Sequence, residues 1–545
     1  MKRIVFITLI LFTTIKSGAV EFGESIRHFI DNKTVISFYE IDNEYLLSGK
    51  VLPLFYINRN YVPAWFNLDT LGNNGYSLIN YIRLVNRHGL QPNDYHLDLI
   101  EKYVEKTHSC TPMDTLDMMK LDVLLSDAFM LLGSHLYYGK VDPEKEDWKV
   151  QCKEPELRLD LKMEEALAVN DPAMALDMLA PRYRSYWMMK DELVFFLGLN
   201  EQSWPSIQSD LAIKPGESNQ LIPMIREKLI KLRYRISDSI SMTFDVELEK
   251  QLKNFQQDWG LNADGVIGKA TLEVLNSVPE NLINQLKVNM ERFRWLPLQV
   301  TEKYIIVNIA NFQLDMIEGI DTLISMRVIV GKELRKTPVF NDQMSYIVFS
   351  PSWTVPPTIL QEDVIPELLK GPEYIERKSM KLLRNDGSEL AYSDIDWSKI
   401  SKDHFPYIVR QNPGAGNALG RVKFMFPNDY NVYIHDTPSR GAFARDDRAM
   451  SSGCVRVEKP YDLAVLLLSD APEWSPTLIR DAMKQDKEQT VRLKIPVDVM
   501  LIYLTAWTDG NDHIQFRKDV YQRDGMVLAA LNQIPATVNG TAILW

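Results

Sequence analysis

The run Tyr433-Ile434-His435-Asp436-Thr437-Pro438, followed after a gap by Ser451-Ser452-Gly453-Cys454-Val455-Arg456, decides how the chain is read. A thiol attacks as thiolate, and a free Cys is mostly protonated at neutral pH, so a nucleophilic Cys needs a base or a positive neighbour. His435 supplies one if the chain doubles back, and Pro438-Ser439-Arg440-Gly441 is a turn cluster that lets it do so. The residues up to His435 and the run Val455-Arg456-Val457 have strand character. Lys459-Pro460-Tyr461-Asp462 then opens a helix with Leu463, Leu466 and Leu467 at helical spacing. Gly453 lets a backbone approach a substrate closely, and the N–H groups of Gly453 and Cys454 are expected to be free for an oxyanion. The same residue types also serve as packing, a Cys as a small core hydrophobe and a His as a satisfied structural residue, so spacing by itself leaves both readings open.

Working outward, the 545 residues suffice for roughly three or four domains. Hydrophobic residues make up 46% and charged residues 25%, the balance of a folded globular protein. A net charge of −12 speaks against nucleic acid as the main partner, because phosphate binding needs a basic face. Met1-Lys2-Arg3, the apolar run from Ile4 to Phe12, and the small residues Ser17-Gly18-Ala19 form a signal-peptide pattern over residues 1–19, too short for a comfortable membrane span. Export places the cysteines Cys110, Cys152 and Cys454 in an oxidising compartment. The expectation is a Cys110–Cys152 disulfide, with Cys454 left as a free thiol.

Residues 20–215 read as a helical scaffold, with Leu121, Leu124, Leu125, Ala128, Leu131 and Leu132 on one helix face and Gly139 as its stop. Asn200 to Asn219, with Pro205, Pro215 and Gly216, reads as a linker. Residues 216–280 read as a compact helical unit: Ile225 and Leu229 on a first helix, Leu248, Leu252, Phe255 and Trp259 on a second, and Leu272 and Leu275 on a third. From Tyr304 the period becomes that of strands, so residues 281–545 are expected to be mainly β and sandwich-like. A charged, helical stretch at 358–411 interrupts them and reads as a cap over the cleft. Val497 to Tyr503 and Ile514-Gln515-Phe516 are expected to form a closing hairpin.

Two resemblances attach to these residues. Phe255-Gln256-Gln257-Asp258-Trp259-Gly260-Leu261, with Asp264-Gly265-Val266-Ile267-Gly268 and Thr271, is similar to the three-helix peptidoglycan-binding domain. The set Val330-Gly331, Thr337-Pro338, His435 and Ser451-Ser452-Gly453-Cys454-Val455-Arg456, with 15 residues between His435 and Ser451, resembles the L,D-transpeptidases. It is closest to their large periplasmic subfamily with a scaffold, a wall-binding module and a capping insertion. Most members carry His at the position of Ser452, and many carry Asn at that of Arg456; the large subfamily shares the Ser.

The resemblance implies a multidomain α+β enzyme that forms 3–3 crosslinks through a cysteine acyl-enzyme, with Cys454 as nucleophile and His435 as base. Arg456, Trp353, Tyr433, Asp436 and Ser452 are expected to bind substrate; Arg456 is alternatively a tie for the Asp436 loop, and Trp353 a core residue. The implied partners are peptidoglycan tetrapeptide stems, carbapenem-type inhibitors and other cell-wall synthesis proteins, with a periplasmic, wall-associated location and no cofactor or metal. L,D-carboxypeptidase or D-amino-acid exchange through the same acyl-enzyme would use every one of these residues, and a non-catalytic wall-binding scaffold would use none of the chemistry.

Overall fold

Helix formation in the N-terminal region follows directly from the apolar pattern. In the helix Thr115–Tyr138 (α1), the Asp114 side chain caps the start by accepting from the Asp117 N–H, and Gly139, at φ 95°, ends it. Leu121 to Leu136 of this helix are buried on every side, so it is the axis around which the other scaffold helices pack. The structure is a computed structural model, and it describes residues 21–31, 39–108, 113–150, 157–277, 279–297, 301–510 and 513–535. The expected signal peptide and both Cys110 and Cys152 lie outside the described residues.

The wall-binding-like unit consists of Ile222–Lys231 (α2), Val246–Asp258 (α3) and Lys269–Leu275 (α4) around its own core of Ile225, Leu229, Leu248, Leu252, Phe255, Ile267, Leu272 and Leu275. Residues expected to be linker belong to this unit: Ile207 and Ile213 are in its core, Ile213 bridges Ile267, and the Trp204 indole donates to the Leu275 carbonyl. Two buried isoleucines in a polar, Pro-containing stretch outweigh the linker composition. The unit is docked on the C-terminal region, with Trp259 stacked on Phe516 at 4.6 Å and Arg517 donating to the Asp258 carbonyl.

The helix Pro279–Arg294 (α5) then carries buried charges in place of a polar face. Arg294 pairs with Glu291 and donates to the carbonyl of His88 in the scaffold, while Arg292 pairs with Asp524 near the C-terminus. Buried charges require such pairing, and here the Arg294–His88 bond and the Arg292–Asp524 pair tie α5 to distant parts of the chain.

The β region closes on itself. Its strands are Lys303–Asn308 (β1), Gln313–Glu318 (β2), Asp321–Gly331 (β3), Val339–Phe349 (β4), Trp353–Thr354 (β5), Met380–Leu383 (β6), Glu389–Leu390 (β7), Ile408–Gln411 (β8), Val422–Met425 (β9), Ile434–His435 (β10), Ala449–Ser451 (β11), Val455–Val457 (β12) and Gln489–Ile502 (β13). The order β9-β10-β12-β3-β2-β1-β13-β4 is completed by β4 pairing back to β9. Only β10–β12 and β1–β13 in this ring are parallel. Val307, Leu314, Val328, Phe424, Ile434, Val455 and Val457 fill the interior. One continuous buried cluster runs from the scaffold helices through α5 into this interior.

Two expectations change here. Val497 to Tyr503 belongs largely to β13, which pairs with β1 and β4, and the hairpin near the end joins Ala506–Thr508 to Ile514–Phe516. The insertion, expected to be helical, also contains a sheet in the order β5-β8-β6-β7, with a separate core of Val355, Val364, Leu368, Met380, Leu382, Leu390, Ile395 and Val409. Its strands are two to four residues long, too short for a period-2 pattern to stand out among charges.

Candidate active site

Register alone brings the sequence-predicted residues together. Val455 and Val457 of β12, Ile434 of β10, and Val422 and Phe424 of β9 point into the core. Alternation therefore sends Cys454 and Arg456, Tyr433 and His435, and Lys423 to the opposite face. His435 is the direct partner of Arg456 on one side and of Lys423 on the other, so Lys423, His435 and Arg456 form a row across three strands. One step along, the Val455 N–H donates to the Tyr433 carbonyl at 3.1 Å, which sets Cys454 beside Tyr433.

The turn that carries Cys454 is held by hydroxyls and small residues. Gly453 has φ 118°, a conformation that L side chains rarely adopt. Its carbonyl accepts from Thr337 Oγ1 at 2.7 Å, and its N–H donates to Ser451 Oγ at 3.1 Å. The Ser451 hydroxyl donates in turn to the Cys454 carbonyl at 2.6 Å. The Gly453 N–H is therefore occupied, contrary to the expectation that it is free for an oxyanion. Thr337 Oγ1 also accepts from the Gly331 N–H, and a Cβ on Gly331 would lie 2.1 Å from the Arg335 carbonyl, so that close approach requires glycine.

His435 is buried, and its Nδ1–H donates to the Asp436 carbonyl at 2.6 Å. That bond leaves Nε2 as the unprotonated nitrogen. Burial, reinforced by the Arg456 charge, pushes its pKa down to about 3, so the ring is neutral at physiological pH. Burial pushes the Cys454 thiol up, against the opposing pull of the Tyr433 backbone and hydroxyl, Lys423 and Arg456. Cys454 is a free thiol, and its Sγ–H points to the Asn431 carbonyl at 3.9 Å. Tyr433 touches both Cys454 and His435: its ring meets that of His435 edge-on at 5.6 Å, and burial, the Cys454 charge and a hydrogen bond to Cys454 raise the pKa of its hydroxyl.

The remaining predicted residues separate. The Trp353 side chain hydrogen-bonds Tyr433 from the first strand of the cap sheet, so Trp353 joins cap to site. The Ser452 hydroxyl accepts from Arg335 at 3.0 Å, and Arg335 also pairs with Glu362 and Asp363 of the cap. The Asp436 carboxylate is engaged by the protein itself: it accepts from the N–H groups of Arg421 and Thr437 and from Arg440. The tie for the Asp436 loop is thus Arg440, and Arg456 keeps an Nε with no hydrogen-bond partner among the described residues. Lys423 and Arg335 escaped the sequence reading, and Ser451 entered it only as part of the motif; the alternation Val422-Lys423-Phe424, which puts a cation on the face of His435, is the signal for the first. Among the described residues no group of three or more His, Cys, Asp or Glu side chains could hold a metal ion, and no helix is long and apolar enough to cross a membrane.

Comparisons with known proteins match three segments of the chain. Residues 302–474 match the family model of the L,D-transpeptidase catalytic domain, residues 218–275 that of a "Putative peptidoglycan binding domain", and residues 50–193 that of a scaffold domain. A curated Haemophilus influenzae protein described as "Putative L,D-transpeptidase" is 34% identical over 302 residues, which are 54% of this chain and 60% of that protein. The chain thus spans less than two thirds of the length of that relative. Among solved structures, an L,D-transpeptidase from Xylanimonas cellulosilytica (12% identity, 55% of this chain and 100% of that one) gives a TM-score of 0.17. One from Stackebrandtia nassauensis (13%, 55% and 97%) gives 0.22. Neither score defines a shared fold.

Proposed function

We propose that this chain, which carries an L,D-transpeptidase catalytic domain beside a peptidoglycan-binding domain, forms 3–3 crosslinks between peptidoglycan stems through an acyl-enzyme on Cys454. The observation that carries the reading is the single outward face on which Cys454, Tyr433 and His435 stand together, with His435 Nδ1 fixed on the Asp436 carbonyl and Nε2 left to accept a proton.

In the first half-reaction Cys454 Sγ attacks the carbonyl of the third stem residue while its proton passes to His435 Nε2. The thioester bond forms, the amide to the terminal D-alanine breaks, and the same proton leaves on the D-alanine amine. In the second, the amine of another stem attacks the thioester, an amide forms, and the sulfur regains a proton. Because the thiol is pushed up and the imidazole is neutral, proton transfer accompanies attack and no standing thiolate–imidazolium pair is needed. No hydrogen bond joins Nε2 to the thiol among the described residues; such bonds often tighten only when substrate is bound. With the Gly453 N–H committed to Ser451, the Cys454 N–H is the donor assigned to the oxyanion. The cap limits competing water, and the site acts in the periplasm on wall-bound stems.

Intact-protein mass spectrometry with a carbapenem tests the assignment. A single adduct is expected on the wild type and none on Cys454→Ala, and an unmodified wild type sinks the nucleophile. Muropeptide products then separate crosslinking from hydrolysis or D-amino-acid exchange, since only the former yields 3–3 dimers.

A further inference from the structure

The row Lys423–His435–Arg456 places two cations on the face of the nucleophile, and neither forms an ion pair among the described residues. Lys423 Nζ lies 4.7 Å from the centre of the Tyr433 ring, whose hydroxyl bonds Cys454. Arg456, across the strand from His435, has an unpartnered buried Nε. A buried charge without a partner is costly, and a fold keeps it where an anion forms during function. The described groups that face Cys454 are Lys423 on β9, Tyr433 and His435 on β10, Arg456 on β12 and Trp353 on β5. Arg335 stands one residue away, on Ser452, with its charge committed to Glu362 and Asp363. Glu488 acts on Lys423, but its carboxylate accepts from the N–H and hydroxyl of Ser352. Glu488 is thus the carboxylate that acts on Lys423 without forming an ion pair with it, and on the face shared with His435 and Arg456 the sulfur is the group that becomes negative.

We infer that Lys423 is an electrostatic positioning residue for the nucleophile: with Arg456 it stabilises the Cys454 thiolate, so that a neutral His435 need only accept the proton. The inference rests on Cys454 as nucleophile. Lys423 acts through the sulfur and through the Tyr433 ring between them, and does not itself transfer a proton. Burial works against the thiolate in this site, and Lys423 and Arg456 are the only full charges that act to lower the Cys454 pKa among its largest influences.

The test reads the thiolate directly, without substrate. The rate of Cys454 alkylation by iodoacetamide is followed against pH in the full chain for wild type, Lys423→Met, Lys423→Gln and Lys423→Arg, with Lys494→Met as a control lysine. Both neutral variants are expected to move the alkylation midpoint up by about one pH unit, roughly a tenfold loss of rate at pH 7. Lys423→Arg restores most of it, and the control does not move. An unchanged midpoint in either neutral variant that melts like the wild type overturns the inference. So does an Arg variant as slow as the Met variant, which would make the residue one of packing. A raised KM for the stem with an unmoved midpoint overturns it too, in favour of a contact to a substrate carboxylate. Failure of Cys454 as nucleophile would show separately, as the missing carbapenem adduct on the wild type.

Discussion

At the scale of single residues, the chemistry depends on one backbone angle. A Cβ on Gly453 would find its nearest neighbours at 3.9 and 4.0 Å, so there is space for a methyl group, but φ 118° excludes it. Gly453→Ala is therefore expected to cost about 1–3 kcal/mol through backbone strain. It should also slow carbapenem acylation at least tenfold, because relief of that strain moves Cys454 off the face it shares with Tyr433. A variant with unchanged melting temperature and acylation rate would show that the turn tolerates the side chain. The residues that reading by motif isolates, Cys454 and His435, are the ones that alternation places together. Asp436, expected to bind substrate, has its carboxylate engaged by three donors that no motif reveals. Thr337 and Ser451 do the converse: ordinary hydroxyls in sequence, they hold the turn only because distant strands meet there.

At the scale of elements, Arg335 is a side chain that links the insertion to the catalytic turn. Arg335, only 11% exposed, follows β3 and spans from Ser452 Oγ to Glu362 and Asp363, which lie in a π-helical turn over Leu360–Val364. Both carboxylates are about half exposed, so the pairs add little to global stability, under about 1 kcal/mol. Their effect is on where the cap sits. Arg335→Ala is expected to leave the melting temperature nearly unchanged while limited proteolysis within residues 357–377 becomes several-fold faster. An unaltered cleavage rate would mean that the cap is held by Trp353 and its strand pairing alone. Long elements such as α1 were legible because Leu121, Leu124, Leu125, Ala128, Leu131 and Leu132 repeat one signal over about three turns. α5 was not, although Leu282, Leu286 and Phe293 are spaced for a helix, because Asn289, Glu291, Arg292 and Arg294 break the apolar stripe while being buried themselves. Their partners lie in His88, Thr505 and Asp524, far away in the chain.

At the scale of the whole molecule, the scaffold and the β region share one core, so burial of ionisable groups in either affects the stability of both. His88 in the scaffold is held at about 4, and His135 in α1 and His435 at about 3, each chiefly by burial. A histidine released by unfolding titrates near 6.5, so below that pH the unfolded chain binds protons that the folded chain refuses. The stabilisation from these three groups is complete above about pH 6.5 and is lost as pH falls toward their folded values. His96 works in the other direction: burial opposes its charge, but Asp127 and Glu44 push its pKa up to about 9, so its contribution is full below about 6.5 and lost as pH rises through 9. Between about pH 5 and 6 His96 is charged in both states, and the other three set a slope of roughly 4 kcal/mol per pH unit, from about 1.4 each. The melting temperature is therefore expected to fall steeply from pH 6.5 to 5, before most carboxylates titrate. His135→Gln, remote from the catalytic face, should reduce that slope by about a third while lowering stability at pH 7.5. A slope that does not change with His135 removed would place the acid sensitivity elsewhere in the shared core.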